Sequence, residues 1–229
     1  RPWEFRHMIR QAGRIPAERY TTYGTKRLFD DADEELDPLD LVGERWTLLL
    51  VRDLLLGPQR YSDLLDGLPG LTTNLLARRL KCLEEDGLVE KVKLPPPNPA
   101  KVYQLTELGR ELEPLVLEAC EWGNRFMAQP APEEQQNLGW SLLRLKRRYK
   151  GNQNFVVELR APERIFHIAL RLNGIQVHQG GNPTAELIIT GSTMALHQLF
   201  FGPTRASELI GQGEIVAQGE FGRWPRLMA

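Results

Sequence analysis

The chain has 229 residues, of which 26% are charged and 41% hydrophobic, with 29 Lys+Arg against 30 Asp+Glu. That composition is ordinary for a folded globular protein and excludes a disordered one; a formal net charge of −1 excludes a globally basic nucleic-acid-coating protein. There is no apolar run of bilayer-spanning length and no signal-peptide core, and the two cysteines, Cys82 and Cys120, fit a reduced, cytoplasmic protein better than a disulfide-stapled one.

Residues 1–29 are basic and aromatic without clear periodicity (Arg1, Trp3, Phe5, Arg6, Arg10, Tyr20 and Tyr23 among them) and read as an arm. The run from Asp30 to Asp40 carries acids and no bases. A helical pattern starts at Leu39 and becomes firm from Glu44 to Leu56, where it is apolar nearly all round, as in a buried helix. Gly57-Pro58 stops it, Ser62 is placed to cap a short helix over Asp63–Asp66, and Gly67-Leu-Pro-Gly70 turns the chain again.

Thr72 then reads as the N-cap of a helix that ends before Gly87. At 100° per residue, Leu76, Leu80 and Leu83 share one face, and Asn74, Ala77, Arg78 and Lys81 share the opposite one with Thr73 at its edge. Two short strands follow, over 88–93 and 101–105, joined by Pro95-Pro-Pro-Asn-Pro99. A helix followed by such a hairpin predicts a winged helix-turn-helix, with the helix in the major groove and the hairpin on the backbone. Asn74 and Arg78 have the side chains for bidentate contacts to adenine and guanine edges. Thr72, Thr73, Lys81, Lys93 and Lys101 suit phosphates, and Ala77 lies among them. The competing reading, true of most amphipathic helices, is a solvated polar face. Charge distribution counts against DNA: residues 1–128 hold 18 bases against 22 acids, and the rest 11 against 8. The Asp30–Asp40 run accounts for that deficit away from the expected contact surface.

From Thr106 a long helix is predicted to about Met127, interrupted only by Gly109, Pro114 and Gly123, with more apolar residues (Leu108, Leu112, Leu115, Val116, Ala119, Trp122, Phe126) than a small domain can cover, which suggests a dimer interface. Residues 129–136 read as a linker. Beyond it the pattern predicts a helix over 137–149 and strands over 155–160, 165–171, 175–178 and 187–190. Helices over 193–201 and 206–210 and a strand over 214–218 complete it. The fold class is therefore α+β: an N-terminal winged helix-turn-helix domain over 30–128 and a C-terminal α/β domain over 137–229.

The run Val42-Gly-Glu-Arg-Trp-Thr-Leu-Leu-Leu-Val-Arg-Asp-Leu-Leu-Leu-Gly57 resembles the first core helices of HxlR-type transcriptional regulators. Arg60-Tyr-Ser-Asp-Leu, Leu75-Leu-Ala-Arg-Arg-Leu-Lys-Cys-Leu-Glu-Glu-Asp-Gly-Leu-Val and Tyr103-Gln-Leu-Thr-Glu-Leu-Gly109 continue the match in order over about residues 38–128. The resemblance implies a homodimer on double-stranded operator DNA. Many members carry a Cys-Pro pair before the Val-Gly-Glu-Arg-Trp run, in some a thiol sensor; Asp33-Glu34 stand there instead, so sensing by that residue is not expected. Ala185-Glu-Leu-Ile-Ile-Thr-Gly-Ser, Leu199-Phe-Phe-Gly202 and Ala206-Ser-Glu-Leu-Ile-Gly-Gln-Gly-Glu-Ile-Val-Ala-Gln-Gly219 are similar to the closing half of sterol carrier protein-like domains. That likeness implies a small apolar effector held by Phe166, Ile168, Leu170, Leu196, Leu199 and Phe200; the plainer reading makes all six core.

Enzymatic readings find little support. His7, His167, His178 and His197 lack metal-ligand spacing, and Gly211-x-Gly213 precedes a strand instead of following one, so no catalytic residue, metal, cofactor or membrane partner is expected. The alternative function is a lipid- or acyl-binding transfer protein with a winged-helix interaction module.

Overall fold

The structure is a computed structural model that describes residues 39, 42–94, 99–125, 137–149, 153–172 and 174–224. The expected arm, the linker and most of the proline loop lie outside the described residues. Residues through Glu44 form one unit and Arg45–Ala229 a second, which holds all the elements below.

The second unit opens with α1 (Thr47–Leu54), a helix shorter than the one predicted, followed by α2 (Tyr61–Gly67) and α3 (Thr73–Glu85). Leu50, Val51 and Leu54 of α1 are at most 3% exposed, as expected of a helix apolar on nearly every side. Ser62 does not cap α2, because the helix already begins at Tyr61; instead Asp63 reaches back to accept the Arg60 amide at 3.2 Å. The hairpin comprises β1 (Val89–Lys93) and β2 (Lys101–Leu105), antiparallel with Val89 opposite Leu105 and Lys93 opposite Lys101. Gln59 adds an isolated bridge, exchanging two backbone hydrogen bonds with Tyr103 at 2.9 and 2.8 Å.

The predicted long helix is two helices, α4 (Glu107–Arg110) and α5 (Glu113–Asn124), broken at Glu111 and Leu112. Pro114 in the first turn of α5 explains the break: it has no amide hydrogen to donate back across the junction and is suited to a helix start.

In the C-terminal part, Asn137 caps α6 (Leu138–Leu143) by accepting the Trp140 amide, and α7 (Leu145–Arg148) follows. Four strands come next: β3 (Phe155–Arg160), β4 (Ile165–Arg171), β5 (Gly174–Gln179) and β6 (Leu187–Gly191). Then come α8 (Thr193–Phe201), α9 (Ala206–Gly211) and β7 (Ile215–Gly219). The sheet order is β5-β4-β3-β6-β7, with β3 and β6 parallel and every other neighbouring pair antiparallel. Central β3 is buried from Phe155 to Leu159. Its Glu158 is only 4% exposed. Burial alone would raise that carboxyl, but the Asn182 amide and the Arg160 guanidinium, each 2.7 Å away, hold it below the usual range.

The two parts of this unit meet along a seam on α1 and α6. Trp140 Nε1 donates to Asp53 Oδ1 at 2.7 Å, and Arg52 Nε donates to the same oxygen at 3.2 Å. The Arg52 guanidinium carbon lies 3.3 Å from the Trp140 ring centroid. Gly139 fits because it lacks a side chain: a Cβ there would stand 2.7 Å from both Leu56 and Phe166. The Gln179 amide donates to the Leu56 carbonyl at 2.6 Å, Lys146 pairs with Glu113 at 2.7 Å, and Arg147 pairs with Glu118.

Burial raises the Asp53 carboxyl above its ordinary value, against the opposing pull of Arg52 and the Trp140 hydrogen bond. Burial likewise lowers Arg52, against the attraction of Asp53. Desolvation outweighs attraction in both partners, so the pair fixes geometry more than it adds stability. Removing one member is still costly. Asp53→Ala leaves a buried cation and an indole N–H without their acceptor and should lower stability by about 3–5 kcal/mol in urea denaturation. Asp53→Asn keeps an acceptor for Trp140 and should lose less. A carboxyl with a raised folded pKa contributes stability that is complete below its unfolded pKa and is lost as pH climbs through the folded one. The wild-type protein should therefore lose that increment from about pH 4 upward, and Asp53→Asn should not.

Candidate nucleic-acid interface

Helix α3 is held by its ends and its underside. At the start, Thr72 Oγ1 accepts the Leu75 amide at 3.4 Å, and the Tyr61 hydroxyl donates to the Thr73 carbonyl at 2.5 Å, tying α2 to the first turn. At the finish, Gly87 takes a left-handed φ of 71°, and the Leu88 amide returns to the Leu83 carbonyl at 2.9 Å, a Schellman closure that delivers the chain into β1. Thr106 locks this junction from the far end of the hairpin. Its hydroxyl donates to the Gly87 carbonyl at 2.5 Å and accepts the Gly109 amide at 3.1 Å, while its own amide donates to the Leu88 carbonyl at 3.0 Å. Gly109 is needed there, since a Cβ would overlap the Leu88 carbonyl oxygen.

Beneath the helix, Leu76, Leu80 and Leu83 are 0–2% exposed. Their burial turns the other face outward. Thr72, Thr73, Asn74, Ala77, Arg78 and Lys81 are all exposed, and on α3 the last five fall within an arc of about 140° at 100° per residue. Arg79 sits on the leucine side, 9% exposed, and is not part of this surface. Lys81 approaches Glu85 at 4.0 Å; the acids Glu84, Glu85 and Asp86 gather at the helix C-terminal end. The first two turns thus offer the neutral and cationic groups.

Lys93 and Lys101, both exposed, stand directly opposite each other across the hairpin. Lys91 joins them, two residues along β1 on the same side of the strand, with its ammonium 5.0 Å from the Tyr103 ring centroid. The Tyr103 hydroxyl holds that ammonium above its ordinary value. Sequence reasoning missed Lys91, although the period of two along Lys91-Val-Lys93 was there to be used. It also missed Tyr61, whose hydroxyl bonds a backbone carbonyl of α3.

The six side chains expected to line an effector site lie in the C-terminal interior. Phe166, Ile168 and Leu170 are 2–4% exposed on β4, and Leu196, Leu199 and Phe200 are 0–9% exposed on α8. Phe200 stacks edge-on against Trp224, with ring centroids 5.2 Å apart.

Residues 41–131 match the family model described as HxlR-like helix-turn-helix. An HTH-type transcriptional regulator of Synechocystis sp. is 35% identical over 95 residues, covering 42% of this chain and 70% of that protein. YodB of Bacillus subtilis, an HTH-type transcriptional regulator, is 35% identical over 86 residues, covering 38% of this chain and 77% of YodB. Regulators of Mycobacterium are matched over 58% of their length. Among solved structures, reduced YodB is similar over 41% of this chain and 97% of its own, with 31% identity and a TM-score of 0.36.

Two ammonium groups facing each other on one hairpin repel, and an anion between them removes the penalty. In the unliganded protein Lys101→Gln should therefore raise stability by about 0.2–1 kcal/mol at low salt. The gain should fade as screening increases, when urea midpoints are compared across a salt series.

Proposed function

This chain belongs to the HxlR-like helix-turn-helix family of transcriptional regulators, and on that premise we propose that it regulates transcription as a homodimer on a pseudo-palindromic operator. In this reading residues 30–128 form the DNA-binding and dimerisation domain and residues 137–229 a second, regulatory domain. The observation that carries it is the leucine-backed helix α3, with Asn74, Arg78 and Lys81 outward beside the Lys93–Lys101 hairpin. Helix α3 enters the major groove by its N-terminal turns, and the lysines of the hairpin follow the phosphates.

The dimer proposal draws on α5. Val116 and Leu117 are buried within the chain, but Leu115 is 43% exposed and Trp122 64% exposed, a large apolar cost unless a second copy covers it. An apolar effector among Phe166, Ile168, Leu170, Leu196, Leu199 and Phe200 would require these packed side chains to separate.

Fluorescence anisotropy with an operator and its single-base variants tests the reading. Arg78→Ala should cost about 1–3 kcal/mol and relax preference at one base position. Lys93→Ala should weaken all sequences alike and reduce the salt dependence by about one unit of slope. An Arg78→Ala variant that loses affinity uniformly would make Arg78 a phosphate contact. Trp122→Ala should shift the protein toward monomer in sedimentation equilibrium, and an unchanged mass would place the dimer contact elsewhere.

A further inference from the structure

A cavity of about 560 Å³ opens at the seam, walled on one side by the end of α1, β2 and α4–α5 and on the other by α7, β5 and the end of β4. Its volume lies in the range of sites for small organic ligands. The apolar part is supplied by Leu54 (3% exposed), Leu55 (7%) and Ile175 (9%). Around them stand three cations, Arg110, Lys146 and Arg171, and one acid, Glu113. Lys146 is neutralised by Glu113 at 2.7 Å. Among the described residues neither Arg110 nor Arg171 has a carboxylate within 4.0 Å, although Arg171 donates to the Leu170 carbonyl at 2.9 Å and Glu107 and Glu111 flank Arg110 on its far side, so the wall keeps two guanidinium groups with no ion-pair partner. Such groups match carboxylate or phosphate oxygens in a bidentate fashion.

We propose that this cavity binds an amphipathic organic anion, with its charged head on Arg110 and Arg171 and its apolar body on Leu54, Leu55 and Ile175. His178, half-buried in the same wall, supports the sign of the field: burial lowers its pKa first, and His167, Lys146 and Arg110 lower it further. The neutral imidazole then offers one N–H donor and one acceptor to the head group. Residues of both parts of the unit line the cavity, so an occupant bridges them. The proposal is independent of DNA docking, and its failure would leave that reading intact.

Isothermal titration calorimetry of the full chain with octanoate, and with 1-octanol as the uncharged molecule of equal chain length, tests it. Octanoate should bind at least about tenfold tighter than 1-octanol, and the double variant R110E/R171E should weaken octanoate by at least about tenfold. Both arginines are exposed, and circular dichroism checks that the variant folds; if it does not, R110Q/R171Q carries the same expectation. A preference below about tenfold in the wild-type protein, or a loss below about tenfold in the folded variant, overturns the proposal. So does the absence of any binding heat from octanoate at millimolar concentration.

Discussion

Three leucines decide what this protein can show to a partner. Leu76, Leu80 and Leu83 are withdrawn from water beneath α3, and the 3.6-residue period then leaves no choice about where Asn74, Arg78 and Lys81 point. Burying each leucine is worth on the order of 1.5–3 kcal/mol, more than any rearrangement of the exposed polar side chains could recover. The surface proposed to meet DNA is therefore a by-product of core formation, and its orientation needs no partner to set it.

The junction at Gly87, Leu88 and Thr106 adds the second constraint. One glycine in the left-handed region ends the helix, and one threonine, 19 residues later, bonds back to it across the hairpin. Helix and hairpin thus form one piece, which fixes the spacing between groups suited to base edges and groups suited to phosphates. Much of this was legible in the sequence, because the leucine period, the Thr72 cap and the Gly87 stop are local signals. The C-terminal strands were legible for the same reason: alternation in Ile165–Arg171 foretells the burial of Phe166, Ile168 and Leu170, although Ala169 between them is buried as well.

What escaped the sequence was non-local. Asp53 and Trp140 are 87 positions apart, and nothing around either residue announces the other. Asp53 reads as an ordinary helix acid until the fold buries it. The break between α4 and α5 was half-legible: Pro114 marks an interruption in the sequence, but the apolar period runs through it and suggests one helix, and the lost hydrogen bond at Pro114 outweighs that continuity. Arg79 marks the opposite case: the helical step that turns Asn74 and Arg78 outward itself carries this third base over to the leucines, where it is 9% exposed.

The hydrogen bond from the Gln179 amide to the Leu56 carbonyl has an effect beyond joining two halves. β5 is an outer strand of the five-stranded sheet, and outer strands recruit further strands from other chains when their backbone groups stay open. By offering Leu56 as a substitute neighbour, the N-terminal helices blunt that border against runaway β-assembly, leaving β7, with Val216 outward, as the border where such growth would start.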